Sequence, residues 1–398
     1  MATKVAIACQ GGGSQTAFTA GVLRTILGDS GFDQDYEVVA LSGTSGGGIC
    51  CFLTWYGLLT GRSDTGGRGA RAAALLQAFW EDNEAHDWWD AWFVNPSVVA
   101  LQELHDAGWV AQTPMPRWIA DAVSASVKDN LRRLLERGVD MQAALDALQG
   151  DPDHPTLLVG AVDVLTGEFA VFEEACPDLG YRRQEPHHPP KSVSLDPILA
   201  SASVPPLMRG QVIGTGCYWD GLFAHNPPIR TLVDRQVSMR PDEIWVIQID
   251  PEDIPSEPTA PAAIVDRRFE LSSNLSLNAE LHWIKQINQW IHKKILSPAD
   301  FKTIKIGHIR LGADLAREDG LASKVNRSPA YLRALTEEGE RSTARFLRER
   351  AGGKVEWDIE PEAHQPRVSG RTTPDGSRSS RGTSPTRRDP SPSRAGRS

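Results

Sequence analysis

Ser45 stands in Gly43-Thr44-Ser45-Gly46-Gly47, a G-x-S-x-G arrangement whose small neighbours allow the sharp strand-to-helix turn that lifts a serine hydroxyl clear of the backbone. Its context sharpens the pattern. The hydrophobic run Tyr36 to Leu41 precedes it as a predicted strand, and an apolar helix follows through about Leu59. The start of such a helix aims its positive dipole end and free N–H groups at the serine, which favours an oxyanion beside it. The chemistry suggested is nucleophilic attack on an acyl group. A simple Gly-rich turn between strand and helix is the plainer alternative.

A second glycine cluster, Gly11-Gly12-Gly13, follows the short apolar run Lys4 to Cys9 and opens a helix of its own. Its backbone N–H groups are candidates for an oxyanion hole next to the serine. A dinucleotide fingerprint shares the strand, glycines and helix, but its third glycine would fall on Thr16, and the second strand ends in Ser42-Gly43-Thr44-Ser45 rather than in an acid for a ribose. A P-loop fails because no Gly-Lys-Ser/Thr follows.

Serine is a poor nucleophile until a base takes its proton. Tyr218-Trp219-Asp220-Gly221 ends a predicted strand, and Gly221 allows a turn that projects the carboxylate into a cleft. His225 follows, just before Asn226-Pro227-Pro228, so a Ser-Asp-His triad can be drawn from this stretch. An Asp before Gly is also a common turn cap.

These residues need a scaffold, and the order strand, loop, helix, strand, turn, helix predicts an α/β fold with a mainly parallel sheet. The first helix carries Phe18, Val22, Leu23 and Ile26 on one face. Residues 61–150 are helical in pattern and read as a helical insertion or cap, with the cluster Trp88-Trp89-Asp90-Ala91-Trp92-Phe93 walling an acyl pocket, dipping into lipid or filling the cap. Thr156 to Val164 and Phe169 to Phe172 predict strands joined by a hairpin turn. Gln211 to Trp219 and the uncharged Ile244 to Ile249 predict further strands, the latter central, and helices are expected around 276–296 and 328–349. In the stretch 281–296, Ile284, Ile287 and Ile291 share a face beside Trp283 and Trp290, which suits either a core-packed helix or one lying in lipid headgroups.

Composition sets outer bounds. The chain has 398 residues, 40% of them apolar and 23% charged, with a mean hydropathy of -0.33. That fits a folded chain with a large core and excludes collagenous, membrane-spanning and wholly disordered classes. The formal charge is -9; residues 361–398 hold eight Arg against three acids, so this tail is +5 and the first 360 residues are -14. An ordered domain is expected over 1–360 and a disordered Arg/Ser/Pro-rich tail over 361–398, either a tether for anionic surfaces or a solvated end without a partner. The acidic body argues against nucleic acid as a partner. Five cysteines (Cys9, Cys50, Cys51, Cys176 and Cys217) without a C-x-x-C pair, and His187-His188 alone among prolines, suggest neither a disulfide framework nor a metal site. The N-terminus lacks the features of a secretory signal, so a cytoplasmic location is expected.

Gly11-Gly12-Gly13 with Gly21-Val22-Leu23, then Gly43-Thr44-Ser45-Gly46-Gly47, then Asp220-Gly221 resemble the patatin-like phospholipase family in order and spacing. Ala161-Val162-Asp163-Val164-Leu165-Thr166-Gly167, Ala200-Ser201-Ala202-Ser203-Val204-Pro205-Pro206, Asn226-Pro227-Pro228 and Ser323-Lys324 also fit, so the similarity spans roughly residues 4–350. The resemblance implies a three-layer fold and a Ser-Asp dyad, with Ser45 as nucleophile, Asp220 as general base and His225 structural. It implies an oxyanion hole at Gly11, Gly12 and Gly13 and hydrolysis of lipid esters through an acyl-enzyme; no cofactor is expected, and peripheral contact with a membrane surface is one of the two readings of the stretch 281–296. The sequence departs from the family at Gln10, Gln15 and Thr16, where an acid, a basic residue and a glycine are usual, and at Leu222, where a small residue is usual. A non-catalytic lipid-binding module and an acyltransferase using the same dyad are the alternative functions.

Overall fold

Both faces of the first strand are apolar, and this dictates the layering. In β1 (Thr3–Cys9), Val5, Ile7 and Cys9 point into one hydrophobic core while Ala6 and Ala8 point into another. A strand buried on both faces belongs to the middle of a sheet covered by helices on each side. The computed structural model describes residues 2–62, 67–84, 117–150, 154–174, 192–205, 208–232, 240–317 and 324–359. The Trp-rich stretch 88–93, Cys176, His187-His188, Ser323 and the tail 361–398 lie outside the described residues.

The other strands are β2 (Tyr36–Thr44), β3 (Thr156–Asp163), β4 (Phe169–Glu173), β5 (Gln211–Ile213), β6 (Gly216–Asp220), β7 (Glu243–Gln248) and β8 (Lys305–Arg310). They form one eight-stranded sheet in the order β5-β6-β3-β2-β1-β7-β8, with β4 paired to β3. The pairs β3–β2, β2–β1, β1–β7 and β7–β8 are parallel, and the pairings that involve β4, β5 and β6 are antiparallel.

One face of the sheet is covered by α1 (Ala17–Leu27), α2 (Ser45–Thr60), α3 (Gly67–Asp82) and α9 (Pro329–Ala351), and α4 (Arg117–Gly138), α5 (Met141–Gly150), α6 (Asp196–Ser201) and the short α8 (Ala313–Arg317) complete that side. The opposite face packs on α7 (Pro261–His292) through Leu277, Leu281 and Ile284. The expected α/β fold with a mainly parallel sheet between helices is present. Cys9, Cys50 and Cys51 are buried and unpaired, in keeping with packing residues. No described helix is long and apolar enough to cross a membrane.

Three expectations shift. Gln211 to Trp219 is two strands, β5 and β6, because Gly214 at φ +59° turns the chain back on itself. The helix expected from about 276 begins at Pro261, fifteen residues earlier. β8 was not foreseen: only Ile306 and Ile309 mark it as apolar, and parallel pairing with β7 makes it a strand. The compact unit is Met1–Pro361; Glu362–Ser398, the second unit, falls outside the description.

Candidate active site

Ser45 is the first residue of α2 and has φ +54°. Thr44 before it is extended, at φ -134° and ψ 144°. A left-handed non-glycine residue between strand and helix is strained by roughly 1–3 kcal/mol, and such strain persists where surrounding structure enforces it. Here the Ser45 N–H donates to Ser201 Oγ at 2.9 Å, and Ser201 in turn donates to the Gly160 carbonyl at 2.6 Å. Gly47 is required by close approach: a Cβ there would stand 2.5 Å from the carbonyl oxygens of Cys9 and Gln10. The elbow is thus pressed against the end of β1. Gly43 is the penultimate residue of β2, and Gly46 lies against Thr16, whose hydroxyl donates to the Gly13 carbonyl at 2.6 Å.

The partner of Ser45 is set by β3. Thr44 pairs with Gly160, and Asp220 pairs with the next residue, Ala161. Because β4 occupies the opposite edge of β3 over the same residues, β2 and β6 share one edge and meet end to end. Adjacent positions of one strand therefore bring the end of β6 to the serine turn. The Asp220 N–H donates to the Ser203 carbonyl at 3.0 Å, and Oδ1 accepts from the Leu222 amide at 2.8 Å, capping the short turn Gly221–Phe223. Gly221 is held so close to β3 that a Cβ would stand 2.6 Å from the Gly160 carbonyl oxygen. The carboxyl is fully buried, and Oδ2 makes no hydrogen bond of standard geometry to a described residue. Burial raises its pKa to about 7, against the smaller pull of the nearby Ser45 hydroxyl and of the Leu222 amide.

The three loop glycines are not equivalent. Gly11 donates its N–H to Asn226 Oδ1 at 2.6 Å, so that amide is committed. The Gly12 and Gly13 amides donate to no described residue. Asn226 Nδ2 donates to Ser273 Oγ at 2.7 Å, and Gln10 Nε2 donates to the same oxygen at 2.6 Å and to Asn274 Oδ1 at 3.1 Å. Gln10 Oε1 accepts from the amides of Ile249 and Asp250 at 2.8 and 2.9 Å. Gln10, which replaces the family's acid, thereby ties β1, β7 and α7 together. Lys324 packs its carbonyl against Gly13 and places Nζ 2.8 Å from Asp250 Oδ1. Burial opposes the lysine's charge, but Asp250 and nearby acids outweigh it and raise its pKa. Gln15 reaches away from the turn, donating to the Ala316 carbonyl at 3.2 Å.

His225 has other partners. Its Nδ1 lies 2.8 Å from Glu280 Oε1, its ring meets Phe169 edge-on at 4.2 Å between centroids, and its carbonyl accepts from Thr44 Oγ1 at 2.7 Å. None of these is the side chain of Ser45 or Asp220. Ser201, Ser273 and the side chain of Asn226 went unremarked as site components in the sequence. The available signals were thin: a serine within a small-residue run and an Asn ahead of two prolines.

No curated protein matches the chain. The profile of the patatin-like phospholipase family matches residues 7–233, which takes in the glycine loop, the serine turn, β3, Ser201 and Asp220-Gly221. That match covers more than half of the 398 residues. The chain belongs to the patatin-like phospholipase family.

Proposed function

We propose that this chain hydrolyses fatty acyl esters of phospholipids or related lipids through Ser45 and Asp220, a specific form of the lipid hydrolase activity of its family. Asp220 takes the Ser45 hydroxyl proton as the oxygen attacks the ester carbonyl, and the Gly12 and Gly13 amides receive the developing oxyanion. Collapse expels the alcohol, protonated by Asp220, and leaves an acyl-enzyme on Ser45. Asp220 then activates a water that releases the fatty acid and restores the serine.

The observation that carries this reading is the register of β3, where neighbouring residues Gly160 and Ala161 hold the serine turn and Asp220. The carboxyl's environment supports it. A carboxylate near its usual pKa of about 4 is a weak base, whereas one raised to about 7 is matched to a neutral operating pH without histidine. His225, engaged with Glu280 and Phe169, has a structural part in this scheme.

The test is fatty-acid release from vesicles of mixed phospholipid and neutral lipid by wild type, Ser45→Ala and Asp220→Asn, with thermal melts to show that each folds. Release falls to background in both variants, and a fluorophosphonate probe labels wild type but not Ser45→Ala. Release that survives in folded Ser45→Ala overturns the mechanism. Absence of both labelling and release in wild type points to a lipid-binding module instead.

A further inference from the structure

α7 has two faces with different duties. Its inner face holds the loops around the candidate site: Ser273 accepts from Gln10 and Asn226, Ser276 Oγ donates to the Ala224 carbonyl at 2.7 Å, and Glu280 accepts from the Ile229 amide at 3.2 Å. Its outer face leaves large apolar side chains in solvent. Ile264, Leu271, Leu275 and Trp283 are 42%, 42%, 66% and 52% exposed, and Ile295, just past the helix, is 65% exposed. Ile264, Leu271 and Leu275 are spaced by seven and four residues, so they form one stripe, with Trp283 at its flank two turns on. Single exposed apolar residues are ordinary, but several aligned on one helix mark an interaction surface.

The charges decide what that surface fits. From Ala263 to Ile295 the exposed residues include Arg268, His282, His292, Lys293 and Lys294 and not one acid. The helix's Glu270 and Glu280 are buried on the inner side, and Asp266 is half-buried. Yet the first 360 residues carry a formal charge of -14. An acid-free, cationic strip with exposed Leu and Trp on a strongly acidic body suits a partner that is both anionic and greasy. Trp283 also contacts Trp290 edge-on, with centroids 6.5 Å apart, and amphipathic indoles favour the boundary between headgroups and acyl chains.

We propose that the outer face of α7 docks on the anionic headgroup layer of a lipid bilayer, with Leu275 and Trp283 entering the acyl boundary and Arg268, Lys293 and Lys294 meeting phosphates. This deepens the lipid-hydrolase reading and rests on it for its purpose. Docking there attaches to the membrane the same helix that braces Gln10 and Asn226.

The experiment is co-sedimentation of the full chain with phosphatidylcholine vesicles, with and without phosphatidylglycerol, alongside hydrolysis of a soluble short-chain ester. Wild type binds the anionic vesicles, less so at high salt. Leu275→Asp combined with Trp283→Ser lowers the bound fraction about tenfold or more while soluble-ester turnover and melting temperature stay at wild type. Arg268→Glu with Lys293→Glu and Lys294→Glu abolishes the preference for phosphatidylglycerol. Undiminished vesicle binding in the Leu275/Trp283 variant overturns the proposal and moves the contact elsewhere, the Arg-rich tail included. Failure of wild type to bind vesicles, with a concentration-dependent dimer lost in that variant, also overturns it and makes the stripe a self-association face. Vesicle binding that depends on Leu275 and Trp283 in a chain that hydrolyses no ester sustains the docking surface and removes the hydrolase reading.

Discussion

The Gly11 amide donates to Asn226 Oδ1 across 2.6 Å, which fastens the glycine loop to the segment that follows Asp220. The link closes a circuit, since Asn226 Nδ2 and Gln10 Nε2 both donate to Ser273 Oγ and Gln10 is the residue before Gly11. Every member is buried, so removing one leaves partners unsatisfied at about 1–3 kcal/mol each. The proposed oxyanion donors, Gly12 and Gly13, sit directly beyond this clamp. Asn226→Ala is therefore expected to lower the melting temperature and to reduce kcat by about tenfold to a hundredfold with a smaller change in KM, because a small displacement of the loop misplaces the amides in the transition state. Steady-state kinetics on a soluble ester check it; wild-type kcat in a destabilised Asn226→Ala would show that the clamp is structural alone.

Gln10 uses its full hydrogen-bonding capacity: two donors to Ser273 and Asn274, two acceptances from Ile249 and Asp250. A glutamate in its place, restoring the family's usual acid, can still accept but offers no donor to Asn274 Oδ1 and brings a buried charge toward Asp250. Gln10→Glu is expected to destabilise the chain by about 1–3 kcal/mol in urea unfolding near neutral pH. Unchanged stability would mean that Ser273 and Asn274 reorient at little cost.

What the sequence made legible were features with local causes. The glycine-flanked Ser45, the Asp220-Gly221 turn and the strand–helix alternation each lie within a few consecutive residues. The Gln10–Ser273–Asn226 circuit was invisible because its members are 263 and 47 positions apart, and no periodicity joins them. β8 depends on pairing with β7 more than on its own Lys305-Ile-Gly-His-Ile-Arg310 pattern. The first half of α7 was missed for a different reason. Ile264, Leu271 and Leu275 are apolar on the solvent side, so the two-faced pattern that announces a helix is blurred there.

Strain at Ser45 separates folding from the proposed chemistry. At φ +54° any residue with a Cβ is disfavoured and glycine is not. Ser45→Gly and Ser45→Ala both remove the proposed nucleophile, so neither is expected to release fatty acid. Ser45→Gly is expected to be more stable than Ser45→Ala by about 1 kcal/mol, a difference of a few degrees in thermal melts. Equal melting temperatures would indicate that the turn relaxes out of the left-handed region once the hydroxyl is gone.

Asp220 carries the clearest pH signature. Burial raises its carboxyl from 3.8 to about 7, so the folded state holds a proton that the unfolded chain releases. Its contribution to stability is fully present below pH 3.8 and is lost as pH rises through about 7. The proposed activity runs the other way, because Asp220 must be ionised to serve as the proposed general base: kcat/KM on a soluble ester is expected to rise through an apparent pKa near 7 and level off above it. Asp220→Asn, which retains an acceptor for the Leu222 amide, is expected to be inactive yet more stable than wild type at about pH 8, on the order of a few kcal/mol. That gain shrinks toward nothing as the pH falls below 3.8, where the wild-type carboxyl is neutral in both states. Paired melts and rate profiles across this range check both halves. A rate profile that inflects near 4, with no pH-dependent gain in Asp220→Asn, would show that burial leaves the carboxyl near its ordinary pKa of about 4 and would remove the matched-base argument for Asp220; a rate profile without any inflection between about pH 4 and 8 would reopen the search for the group that activates Ser45.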